Sequence, residues 1–115
     1  MNKYLKKAEE FFLRGKVEYE EGLQENDVIK VREGCEKIFH ALVELTNGVL
    51  VEHGVPIPED HATRVENLVD YNGLNRLYGW TKDTLHSTCY YSGIIKQKQL
   101  TDAINAIEAE IKKRR

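Results

Sequence analysis

The chain has 115 residues, of which 41% are hydrophobic and 31% charged, with 17 basic and 19 acidic side chains. That length holds one domain large enough to fold without a metal or disulfide staple. A pI near 6.1 excludes a protein that coats nucleic acid through bulk positive charge. No apolar run of about 18 residues is available to span a membrane. Residues 1–10 lack the apolar core of a signal peptide, so the cytoplasm is the expected location.

The charge is unevenly spread. Residues 1–60 carry 8 basic and 13 acidic side chains, residues 61–95 carry 3 of each, and residues 96–115 carry 6 basic and 3 acidic. Only two prolines occur, Pro56 and Pro58. Proline breaks helix interiors and central strands, so its absence elsewhere permits long regular elements.

Residues 3–23 predict a first helix. Tyr4, Ala8, Phe11 or Phe12, Gly15, Tyr19 and Leu23 recur at helical spacing. Lysines at its start and Glu18, Glu20 and Glu21 at its end oppose the helix dipole, so tertiary packing must hold it. A second helix follows, with Val28, Val31, Cys35, Ile38, Leu42, Leu45 and Val49 on an unbroken seam. Asn26 or Asp27 is placed to cap it and Gly54 to close it. Together residues 3–53 predict a long helical hairpin, and residues 54–58 a Pro-containing turn.

Shorter helices are predicted over residues 58–113. Pro58 suits the first position of a third helix, with Ala62, Val65, Leu68 and Val69 inward and Asn72-Gly73 at its end. Residues 74–95 fit helical spacing through Leu77, Trp80 or Thr81, Thr84, Thr88, Tyr91 and Ile95, although residues 84–91 are rich in Ser, Thr and Tyr. Ser92-Gly93 is the expected end. A last helix places Thr101 and Asp102 early and Ile104, Ile107 and Ile111 inward. The fold class is thus all-α, an antiparallel bundle of four to five helices.

Few residues carry chemistry. Cys35 and Cys89 are too few and too separated for a zinc site, and a lone disulfide is unusual in the cytosol, so reduced, packed thiols are expected. No metal or cofactor motif is present. His40, His53 and His61 read as structural. His86 differs: on a helix, Lys82, His86 and Tyr90 share one face, with Asp83 one turn before the histidine. A histidine moves protons near neutral pH, a lysine holds a phosphate, and an aspartate fixes the imidazole tautomer. The same residues would also serve as a hydrogen-bonded stripe between helices.

The order of elements, with Ala8-Glu9-Glu10-Phe11-Phe12, Gly34-Cys35-Glu36-Lys37, the Pro-containing turn, Leu85-His86 and Tyr90-Tyr91, resembles the HEPN superfamily (higher eukaryote and prokaryote nucleotide-binding). It looks closest to the archaeal PaREP branch of small helical proteins. The resemblance implies a bundle, often dimeric, that binds nucleotides or RNA or pairs with a small nucleotidyltransferase. Active members resemble metal-independent ribonucleases carrying an arginine, then four to six residues, then His-x-Tyr. Here His86 matches the histidine, but Gly79, Trp80 and Thr81 precede it and Thr88 stands two residues after it. The expected function is therefore a non-catalytic, self-associating binding module whose ligand groove holds Arg76, Trp80, Asp83 and His86. The alternative is a degenerate ribonuclease, with His86 as base, Lys82 or Arg76 at the phosphate and Tyr90 orienting.

Overall fold

The structure, a computed structural model, describes residues 2–115. Five α-helices and one π-helical segment follow in order: α1 Lys3–Glu25, α2 Val28–Glu52, α3 His61–Asn67, α4 Leu74–Thr81, the π-helical segment Lys82–Tyr91, and α5 Gln97–Lys113. No strand occurs among the described residues. The all-α bundle is as the periodicity predicts.

α1 and α2 form a tight hairpin. Asn26 adopts the left-handed conformation, with φ of 54°, and Asp27 caps α2 by accepting from the Lys30 backbone N–H at 3.1 Å. The helices touch backbone to backbone. A Cβ on Gly15 would lie 2.8 Å from the Gly34 carbonyl oxygen, and one on Gly34 would lie 2.7 Å from that of Gly15. Only glycine fits there. Two of the glutamates that oppose the α1 dipole meet cations on α2: both oxygens of Glu18 take Lys37 Nζ at 2.8 Å, and Glu21 lies 3.6 Å from Lys30.

α2 is the central element. Its predicted seam is buried except for Val28, which is 51% exposed, and Phe39, Ala41, Thr46 and Leu50 are buried as well. More neighbours cover this helix than one seam implies. The end of α2 closes at Gly54, with φ of 73°.

The third helix differs from its sequence expectation. It starts at His61 rather than Pro58, because Asp60 caps it: Oδ1 accepts from the Thr63 N–H at 2.7 Å and Oδ2 from the Thr63 hydroxyl at 2.9 Å. Ala62 and Val69 face solvent, Val65 is half-buried, and the inward residues are Leu68 and the cation Arg64. In α5, Ile104, Ile107 and Ile111 are buried as predicted.

Residues 82–91 are helical but widened. Ser92 N–H donates to Ser87 at 3.0 Å, five residues back, and Ile94 N–H donates to Thr88 at 3.0 Å, six back. Poor α-propensity favours such an opening, and the buried Thr81 hydroxyl donates to the Leu77 carbonyl at 2.8 Å where it begins. Thr81 is inward, one of the two residues the spacing offers there, and it is followed by Leu85 and Cys89 at steps of four instead of Thr84, Thr88 and Tyr91.

Cys89 is joined to Cys35 of α2 by a disulfide, with Cα atoms 6.5 Å apart. This corrects the expectation of reduced thiols. Both cysteines lie on inward faces that the bundle presses together, and both are 0% exposed.

Two outcomes follow for stability. Gly34→Ala forces α1 and α2 apart and lowers unfolding free energy by about 1–3 kcal/mol in urea titrations. The bond closes a loop across 54 residues, so Cys35→Ala with Cys89→Ala costs on the order of 4 kcal/mol by the same measurement.

Candidate functional site

A cleft of about 470 Å³ opens between α2, α3, α4 and the π segment. Four elements contribute to its wall. α2 supplies Glu36 and Phe39, α3 supplies His61 and Arg64, α4 supplies Tyr78, and the π segment supplies His86.

His86 Nδ1 lies 2.7 Å from Glu36 Oε1 and 3.1 Å from Oε2. A carboxylate only accepts, so Nδ1 carries a proton and donates. In the neutral ring, Nε2 is then left as an acceptor. His61 has the opposite arrangement. Its Nδ1 lies 2.7 Å from the Tyr78 hydroxyl. Burial pushes the Tyr78 hydroxyl up to about 12, against the opposing pull of Arg64, so it keeps its proton at neutral pH. The hydroxyl proton has no other acceptor among the described residues, so the arrangement that satisfies both groups has Tyr78 O–H donating to His61 Nδ1 and the N–H of a neutral His61 on Nε2. The two imidazoles meet edge to face, 5.2 Å between centroids. One offers a lone pair and the other a proton.

The two rings are backed by Phe39, whose centroid lies 5.2 Å from His86, 5.3 Å from Tyr78 and 5.9 Å from His61. Arg64 is 6% exposed. One terminal nitrogen donates to Thr46 Oγ1 at 2.8 Å and Asn47 Oδ1 at 2.5 Å, and the other donates to the Pro58 carbonyl at 3.3 Å. This accounts for the buried polar residues of α2. Burial also pulls the Arg64 pKa downward, with Tyr78 and Glu44 opposing it. Glu59 and Asp60 complete an acidic rim.

Of the residues singled out in the sequence, His86 lines the cleft. Arg76, Trp80, Lys82, Asp83 and Tyr90 lie outside its wall. Lys82 pairs with Asp83 at 3.3 Å, Arg76 and Trp80 face solvent, and Tyr90 stacks on the outer side of His86, 6.3 Å between centroids. The Asp83 side chain is 74% exposed, and the carboxylate that meets His86 is that of Glu36, 50 residues away in sequence. Glu36, His61, Arg64 and Tyr78 were not singled out as site residues. The available signal was Arg64, a lone cation four residues before the buried Leu68. Among the described residues no three His, Cys, Asp or Glu side chains gather to hold a metal.

Searches against protein-family models, curated proteins and solved structures return no match to the chain.

His61 is held below its ordinary value of 6.5, first by burial and then by His86, Lys82 and Arg64, while Glu36 opposes them. The folded protein therefore resists a proton that the unfolded chain accepts. This histidine imposes no penalty at pH above 6.5, and its penalty grows as pH falls through 6.5 towards the lowered folded value. In urea denaturation from pH 8 to pH 5, His61→Asn should lose less stability than the parent chain. Equal losses would show that His61 is not the group responsible.

Proposed function

We propose that the chain is a HEPN-like helical bundle that self-associates and binds a nucleotide or single-stranded RNA in the cleft between α2, α3 and the π segment. The observation that carries this reading is the pair of opposed imidazoles, His61 and His86, in a cleft of about 470 Å³ backed by Phe39 and Tyr78. That volume is in the range of small-molecule sites, which combine apolar walls with a few converging polar groups. Phe39 and Tyr78 are buried, so the half-buried imidazoles of His61 and His86 present the ring faces on which a base can stack irrespective of sequence. Glu59 and Asp60 offer acceptors to amino groups of a base edge, His61 Nε2–H offers a donor to a phosphate, and His86 Nε2 offers a lone pair to a hydroxyl or amino group. The reading keeps a cytoplasmic setting, with which the Cys35–Cys89 bond is compatible because both cysteines are buried from soluble thiols. A small nucleotidyltransferase remains the proposed protein partner.

Metal-independent RNA cleavage is the second reading, favoured by the two imidazoles that meet in the cleft. His86 Nε2 would take the proton of a ribose 2′-hydroxyl, whose oxygen attacks phosphorus. A protonated His61 would give its Nε2 proton to the departing 5′-oxygen and return to the neutral ring, leaving a 2′,3′-cyclic phosphate. Glu36 orients His86 and Tyr78 orients His61.

The test is anisotropy of a labelled single-stranded RNA with EDTA present, followed by gel analysis of the same RNA. Binding that weakens at least about tenfold in His86→Ala supports the module, as expected for losing a hydrogen bond and a stacked ring. Cleavage abolished by either His86→Ala or His61→Asn supports the second reading. RNA that neither binds nor is cut sinks both. Light scattering on the purified chain tests self-association, and a monomer at high concentration would overturn that part.

A further inference from the structure

A second cavity of about 230 Å³ adjoins the outer face of His86, lined by Ile29, Arg32, Glu33, Tyr90 and Tyr91. Its apolar residues are not part of the core. Ile29 is 72% exposed and Tyr91 is 66% exposed, both large side chains left in water. The cavity and the cleft share a row of rings. Tyr90 lies nearly parallel to His86, with an interplanar angle of 19° at 6.3 Å. Tyr91 stands edge-on to His86 at 4.9 Å and to Tyr90 at 5.0 Å.

This row is held in place. Arg32 Nε donates to the Tyr90 carbonyl at 2.8 Å, and a terminal nitrogen of Arg32 donates to the Tyr91 carbonyl at 2.9 Å. The guanidinium thereby fixes the backbone that carries both tyrosines and places positive charge in the second cavity. Its other terminal nitrogen makes no side-chain hydrogen bond among the described residues and lies beside Gly93.

We propose that this second cavity is a subsite for the base next to the one held in the cleft. The ligand is then a single-stranded stretch of at least two nucleotides, with Tyr91 as the stacking surface and Arg32 beside the linking phosphate. The proposal rests on the cleft binding a nucleotide. It is argued from continuity: His86 belongs to the cleft and contacts both tyrosines of the neighbouring cavity. Alternating aromatic rings and a cation form the chemistry by which proteins hold single strands without reading sequence.

The experiment titrates the whole chain with AMP and with the 2′-O-methyl dinucleotide of adenosine, which cannot undergo attack by its own 2′-oxygen. The dinucleotide should bind about 5- to 150-fold more tightly, the range covered by one base stacked on an aromatic ring. Tyr91→Ala should erase that gain and leave AMP affinity unchanged, whereas Tyr91→Phe should retain it. The side chain is mostly exposed, so these variants keep the fold. Equal affinity for both ligands overturns the subsite while leaving the cleft reading intact. A Tyr91→Ala variant that weakens AMP as much as the dinucleotide overturns it too. Absence of AMP binding brings down the cleft reading and the subsite with it. Capture of a protein partner on Ile29 and Tyr91, without a dinucleotide gain, assigns the surface to that partner and overturns the proposal.

Discussion

The covalent bond between Cys35 and Cys89 sits one residue from Glu36 and three residues from His86, and the geometry of the cleft depends on that adjacency. The bond brings the middle of the π segment against α2 at a Cα separation of 6.5 Å. With Cys89 fixed, His86 reaches back to Glu36 across the same interface. The carboxylate–imidazole pair thus gains a short, oriented contact without bearing the entropic cost of joining two distant parts of the chain. Buried Leu85 and the tilted contact of Phe39 with His86 add apolar area to the same seam.

A second set of constraints acts from α3. This helix has 7 residues and one fully buried apolar partner in Leu68, so it has little of its own to dock with. Arg64 supplies the rest. Its three neutral acceptors, Thr46, Asn47 and the Pro58 carbonyl, lie on α2 and on the preceding extended segment. A buried guanidinium left unpaired is strongly destabilising, so those partners define one position for α3 rather than a range. His61 is carried into the cleft as a consequence, one turn before Arg64.

The helical architecture was legible because apolar periodicity on long helices reports burial directly. The seam of α2 and the isoleucines of α5 are the clearest cases. Legibility stopped where the physical assumption behind the periodicity failed. In the π segment the turn is wider, so a 3.6-residue template selects Thr84, Thr88 and Tyr91, while the backbone turns Leu85 and Cys89 inward. At the third helix, Asp60 outcompetes Pro58 because a side-chain cap satisfies an N–H that proline merely lacks. The cleft was only partly readable. His86 stood out through its helical neighbours, yet Lys82 and Asp83 paired with each other on the surface. Its actual partner is Glu36, and that contact, like the one between His61 and Tyr78, exists only once separate helices pack. Helical spacing carries no information about such pairs.

A π-helical run of 10 residues needs explanation, because its hydrogen bonds alone favour it less than an α-helix. Three independent restraints hold it here. Thr81 occupies a backbone carbonyl at its start, the disulfide anchors its middle, and Arg32 binds the two carbonyls at its end. A less favoured helical turn persists where its surroundings hold it at several points. This backbone is also the one that turns His86 into the cleft and leaves Tyr90 and Tyr91 on its far side. The restraints act within the chain itself, so the orientation of these rings does not wait for a ligand. A site ordered in advance loses less entropy on binding, and its affinity then rests on contacts rather than on rearrangement.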